Sequence, residues 1–328
     1  MLGTLRLILA SLVALQHIGW KPLGFFPGIP AVVMFYLISG YVVSRLWQRM
    51  QDQPSPVLSF YRDRLLRIYP AYLFALLVGL AVYLCLEPQS YYLSVKPGIK
   101  EVFENLTIVP LNYHMLNDSD RFVFIPPAWS LGAELQFYVL LPLLICFPKS
   151  VFAASLLVAA LAQAGLIPRE WFTYRLLPGV LHVFMAGVLL GSAVDSLQRK
   201  KRAIAIWSCY ALSLLLLVML DELMANRGPG LYRIGMLNRA PEVLLGLLLG
   251  LPLILWLAPL KSRLWDQRLG DFSYGVFLNH FIVYWAVTSL GFGLVVPVYL
   301  AASLILAAMG WYLVETPVKR MRYKLRQR

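Results

Sequence analysis

The chain of 328 residues is 60% hydrophobic and only 14% charged, and its mean hydropathy of +0.70 excludes a water-soluble globular domain, whose surface needs a larger share of charge. A formal net charge of +13 in a soluble chain would point to nucleic acid. Here the basic residues cluster between apolar runs of about 17 to 22 residues, the length that crosses about 30 Å of hydrocarbon, so the bilayer is the expected solvent and no nucleic-acid partner is needed.

In chain order the apolar runs cover about 3–20, 25–46, 69–86, 129–147, 150–167, 177–197, 203–220, 240–260, 272–291 and 293–314. Backbone groups in hydrocarbon pair within a helix or around a closed barrel, and runs of this length fit helices better than the ~10-residue alternating strands of a barrel. The expected fold is all-α: a polytopic integral membrane protein of about ten transmembrane helices, one domain over 1–328, with no appended soluble domain. The first run has neither a basic leading segment nor a small-residue cleavage site, and reads as a retained span. Glu101, Glu104 and Asn105 interrupt the stretch 98–116, which reads as a surface or re-entrant helix. Counting Lys and Arg on alternate loops gives twenty of the 29 to one side, among them Arg6, five arginines from Arg45 to Arg67, the QRKKR cluster at 198–202 and six residues from Lys319 onward. Basic loops stay in the cytoplasm, so both termini are expected there. Cys85, Cys146 and Cys209 fall in three different runs without paired or metal-ligand spacing, and read as packing residues.

Ionisable groups at membrane depth cost free energy and therefore mark functional candidates. Arg6 and His17 lie eleven residues apart in the first run, about three turns or roughly 16 Å with a net rotation of about 20°, so they share a face. They read either as a cationic anchor with a titratable group at another level, or as a snorkelling arginine with a packed histidine. FYRDRLLRIYP at 60–70 sets Arg64 and Arg67 at i and i+3. Two adjacent guanidinium forks suit a phosphate, although positive-inside anchoring accounts for the same residues. Pro70 is expected in the first turn of the third span, with both arginines at its entrance. In PPAWSLGAELQFYVLLPLL at 126–144, Trp129 is expected at interface depth. Glu134 would lie about 7 Å deeper, in the same outer half as His17, where a carboxylate orients an imidazole, binds sugar hydroxyls or pairs with an arginine. Asn279 and His280 in SYGVFLNHF lie near mid-membrane, within reach of cross-helix hydrogen bonds, whereas His182, Glu242 and Glu315 read as structural. Zinc-ligand spacings, Gly-rich phosphate loops and a nucleophile elbow are absent from the sequence, so no metal is expected.

Taken in order, LRLILASLVALQHI, FYLISGYVVS, FYRDRLLRIYP, PPAWSLGAELQFY, SYGVFLNH and the terminal VETPVKR resemble the membrane acyltransferase 3 family, which includes O-antigen and exopolysaccharide acetyltransferases, over nearly the whole chain. Two positions depart from it: Leu135 follows Glu134 where the family commonly has a second acidic residue, and Phe277 stands where tyrosine is usual. The resemblance implies a multi-pass O-acetyltransferase of the bacterial inner membrane. It implies transfer of an acyl group, most often acetyl, from cytoplasmic acyl-CoA as co-substrate to a hydroxyl of a lipid-linked or exported glycan, with no permanently bound cofactor. In that frame His17 and Glu134 are catalytic, and Arg6, Arg64 and Arg67 hold the coenzyme's phosphates. Trp129, Ser130, Tyr274, Asn279 and His280 support the site or meet the acceptor. A transporter or flippase of a lipid-linked glycan is the rival reading, because intramembrane His, Glu and Arg also build proton relays. Against it, the sequence shows no two-half symmetry with interrupted helices.

Overall fold

The computed structural model describes residues 1–22, 25–163, 166–193 and 240–327, with isolated positions between 201 and 212. The expected span at 203–220, most of the QRKKR cluster and Cys209 lie outside the described residues. The helices are α1 (Leu2–His17), α2 (Gly28–Met50), α3 (Pro56–Leu86), α4 (Ile99–Thr107), α5 (His114–Asn117), α6 (Ala128–Leu144), α7 (Pro148–Gln163), α8 (Leu177–Ala193), α9 (Ala240–Leu257), α10 (Leu264–Ser289), α11 (Val296–Gly310) and α12 (Thr316–Gln327). Trp171–Arg175 and Trp311–Glu315 form π-helical turns. Among the described residues the class is all-helical, as expected, and an isolated bridge joins Leu93 to Phe122. Among the described residues four stretches are long and apolar enough to cross a membrane: Gly28–Met50, Pro56–Leu86, Trp171–Gly191 and Val296–Arg322.

The chain divides into two compact units. One comprises Met1–Leu2, Lys21–Leu46 and Leu140–Arg263. Its α2 is enclosed through small residues, as lipid demands, because helices in hydrocarbon associate by close packing and not by escape from water. A Cβ on Gly187 of α8 would lie 2.2 Å from the Leu37 carbonyl oxygen, and one on Gly246 of α9 would lie 2.7 Å from Val33. His182 belongs to this packing: its backbone N–H donates to Ser155 Oγ at 2.7 Å, and Ser155 Oγ donates to the Pro178 carbonyl at 2.7 Å.

The other unit comprises Gly3–Trp20, Trp47–Val139 and Leu264–Arg328. Its contacts fix the helix directions. Gly3 meets Gly270 and His17 meets His280, so α1 and α10 advance together. Arg67 meets Tyr274 and Gly79 meets Ile282, so α3 runs with them. Tyr61–Val139 and Arg64–Tyr138 set α6 the other way, as Ala14–Tyr299 and Gly275–Ala307 do α11. The start of α1 is pinned by Asp266 of α10, whose carboxylate accepts the Thr4 N–H and hydroxyl, each at 2.9 Å, and the Gly3 N–H at 3.3 Å. These are two of the N–H groups that a helix start leaves without a partner in its own helix.

Pro70 is not in a first turn. It lies inside α3, which begins at Pro56. Phe60, Arg64, Ile68, Ala71, Ala75 and Gly79 form one buried stripe running through Pro70, so packing on both sides holds a helix that proline by itself would break. Leu73, Leu77, Leu80 and Leu84 form the exposed stripe of the same helix, an apolar face suited to lipid. Within 98–116, α4 exposes Ile99, Val102, Phe103 and Leu106 and buries Glu104 and Asn105. Asn105 ties this segment down: Nδ2 donates to the Phe122 carbonyl at 2.9 Å, Oδ1 accepts the Phe124 N–H at 3.2 Å, and Tyr72 Oη donates to the Asn105 carbonyl at 2.7 Å.

Candidate active site

Leu5, Leu9, Ala10, Val13 and Ala14 are the buried residues of α1, and His17, an exposed residue, occupies its last turn. On α10 His280 is wholly buried, and its Nε2 lies 3.1 Å from His17 Nδ1. The two rings stack with centroids 5.2 Å apart and an interplanar angle of 15°. Phe281 packs on both, at 4.7 Å from His17 and 5.2 Å from His280.

The backbone decides where the protons sit on this pair. His280 Nδ1 is 3.1 Å from the Val276 carbonyl, which can only accept, so Nδ1 carries the hydrogen and Nε2 of the neutral ring is bare. That nitrogen accepts from His17 Nδ1–H, and the His17 ring also hydrogen bonds the Val13 carbonyl one turn back. Neutral His17 therefore keeps an unprotonated Nε2, the form that takes a proton.

The basic groups gather farther back along the same parallel helices. Arg67 Nη1 donates to Glu315 Oε2 at 2.7 Å, and its guanidinium lies 5.3 Å from the centroid of the Tyr274 ring. The π-helical turn at Trp311–Glu315 carries that glutamate. Arg64 is buried and pairs with Asp63, whose carboxylate also accepts from Arg322 at 3.1 Å. The Arg64 guanidinium stands 5.6 Å from the Tyr138 ring centroid, and Tyr138 donates a short hydrogen bond to Glu134. Arg6 interacts electrostatically with Arg67, Glu134, Tyr138 and Asp271.

The structure thus brings His17 to His280 and gathers Arg6, Arg64, Arg67, Glu134 and Tyr274. It places Glu134 with the arginines and tyrosines, not beside His17. Phe122 to Ala128, just ahead of Trp129, are all buried, and Asn112 Nδ2 donates to the Trp129 carbonyl at 3.0 Å. Ser130 is buried and donates to the Pro127 carbonyl at 2.9 Å, a local turn contact. Tyr274 donates to the Ile68 carbonyl at 3.1 Å. Asn279 is buried, and its Oδ1 has no hydrogen-bond partner among the described residues.

Sequence reasoning missed Tyr138 and Arg322 as members of this network. Tyr138 at i+4 from Glu134 was a readable signal. Arg322 was not, since it meets Asp63 across 259 positions of chain.

Comparison with known proteins follows the same outline. An uncharacterized protein of Aquifex aeolicus is 34% identical over 209 residues, 61% of this chain and 90% of that protein. O-acetyltransferase OatA of Staphylococcus aureus is 30% identical over 152 residues, 43% of this chain and 24% of OatA, so the match spans about a quarter of that relative. Nodulation protein 10 of Rhizobium leguminosarum bv. viciae is 26% identical over 324 residues, 90% of this chain and 83% of that protein. No solved structure matches the chain. A profile of the acyltransferase domain matches residues 4–315, a stretch that contains the imidazole pair and Arg6, Arg64 and Arg67. The chain therefore belongs to the acyltransferase 3 family.

Proposed function

We propose that the protein transfers an acyl group, acetyl in the first instance, from cytoplasmic acyl-CoA to a hydroxyl of a lipid-linked or exported glycan, in the bacterial inner membrane with both termini inside. The observation that carries this reading is the pairing of two levels on helices running the same way: an arginine network around Arg6, Arg64 and Arg67, and beyond it an imidazole backed by a second one. Eleven residues of helix separate Arg6 from His17, roughly 16 Å, a length that the flexible arm of the coenzyme spans while its phosphates stay with the guanidiniums.

In this reading His17 Nε2 removes the proton of the acceptor hydroxyl as its oxygen attacks the thioester carbonyl carbon. The carbon–sulfur bond breaks, the coenzyme leaves as thiolate and takes up the proton from the imidazolium, and the products are the acyl ester and free coenzyme A. His280 accepts from His17 Nδ1–H and so holds Nε2 bare. Glu134 acts at the other level, steadying Arg6 and the Tyr138 hydroxyl.

The name of the relative OatA supports O-acetyl transfer. The test is protein in lipid nanodiscs given radiolabelled acetyl-CoA with and without a lipid-linked glycan. Release of coenzyme A that depends on acceptor is expected, and His17→Ala should abolish it while binding of acetyl-CoA persists. Wild-type turnover by His17→Ala removes the assignment. Glycan translocation without release of coenzyme A favours the flippase reading.

A further inference from the structure

At the end of α3 the chain doubles back over its own last turn and forms an open groove of about 830 Å³. Glu87 ends the helix in the left-handed conformation at φ 45°, its N–H donating to the Tyr83 carbonyl at 3.1 Å. A non-glycine residue held there is strained, and such strain persists where the surroundings fix it. Pro88 follows, so the helix cannot resume, and Gln89 to Ser94 fold back. Tyr83 lies against the rings of Phe122 and Phe124 at 5.5 and 5.8 Å, which holds its own ring rigid. Tyr91 is 60% exposed, and Glu87, Gln89, Ser90 and Ser94 supply a carboxylate, an amide and two hydroxyls.

The lining selects a class of ligand. Among the described residues the lining holds no Lys or Arg and its charged group is the Glu87 carboxylate, so the groove does not suit a phosphate or pyrophosphate. It is too polar for an acyl tail. Two phenol rings with planar amide and carboxylate groups match a sugar ring, whose C–H face packs on an aromatic and whose hydroxyls both donate and accept. Its position matches too. Tyr92, between the groove residues Tyr91 and Leu93, packs edge-on against Phe281 at 5.4 Å, and Phe281 packs on His17 at 4.7 Å.

We propose that this groove binds an uncharged sugar ring of the acceptor glycan, stacked on Tyr91 and hydrogen bonded by Gln89 and Glu87, and so holds the chain with a neighbouring unit's hydroxyl at His17. The catalytic half of this statement rests on the acyl-transfer reading; the binding half does not.

Two measurements separate them. In the first, saturation-transfer-difference NMR on nanodisc protein uses maltotetraose, cellotetraose, chitotetraose and mannotetraose as probes. Transfer to at least one sugar is expected, lost in Tyr91→Ala and Gln89→Ala and kept in Tyr91→Phe, which retains the ring. Transfer to none of them, or undiminished transfer in both alanine variants, overturns the groove. In the second, steady-state acyl transfer to a lipid-linked glycan should show the KM for acceptor rising about ten-fold in Tyr91→Ala, a loss of about 1.4 kcal/mol, with the KM for acetyl-CoA unchanged. An unchanged acceptor KM with normal transfer overturns the groove and leaves the acyl-transfer reading standing. Sugar binding that depends on Tyr91, in a protein that transfers nothing, sinks acyl transfer and leaves the groove standing.

Discussion

Arg67 and Glu315 allow a phosphate role to be separated from a purely structural one. Their atoms are 2.7 Å apart, and the side chains are 16% and 11% exposed, so each charge has little water to fall back on. Removing one partner of such a pair costs about 3–5 kcal/mol because the other is left buried and unpaired, whereas neutralising both costs little. Arg67→Met and Glu315→Leu should each destabilise by that order, and the double variant should recover most of the loss, so that the two single effects are far from additive. Denaturant unfolding in detergent, followed by tryptophan fluorescence, gives the three values. Single effects that simply add would show that the contact contributes nothing, and would refute the reasoning. The same variants report on the coenzyme. If Arg67 holds phosphate, the double variant keeps a raised KM for acyl-CoA although its stability has returned. Recovery of KM along with stability would leave Arg67 a structural residue.

Three further outcomes are expected. Asp266→Ala removes three hydrogen bonds to the start of α1 and should destabilise by about 2–4 kcal/mol, with Asp266→Asn, which keeps an acceptor, losing less; a wild-type unfolding midpoint for the alanine variant contradicts the anchoring role. His280→Phe should lower kcat by about 10–100-fold with the KM for acyl-CoA unmoved, and His280→Gln, whose amide oxygen accepts from His17 Nδ1–H, should recover part of it. Equal loss in both variants argues against tautomer control. A Cβ on Gly275 would stand 2.6 Å from the Ala307 Cβ, so Gly275→Val should cost about 1–3 kcal/mol through overpacking, partly relieved by Ala307→Gly; a neutral Gly275→Val means that α10 and α11 are not in close contact there.

The sequence by itself determined the solvent, the helical class and the candidates. Span length and hydropathy are local properties, which is why α1 (Leu2–His17) and α6 (Ala128–Leu144) sit close to the runs read from composition. The Arg6–His17 face was legible for the same reason, since helical rotation depends only on spacing. Tertiary structure decided the partners. His280 meets His17 across 263 positions and Glu315 meets Arg67 across 248, contacts set by how helices pack and not by any neighbour in the chain. Packing also carried α3 through Pro70 and set Glu134 among Arg6 and Tyr138. In each case a local rule gave the residue's type of chemistry, and the low-dielectric interior, which requires every buried charge to find an opposite charge or a hydrogen-bond partner, determined which group it met.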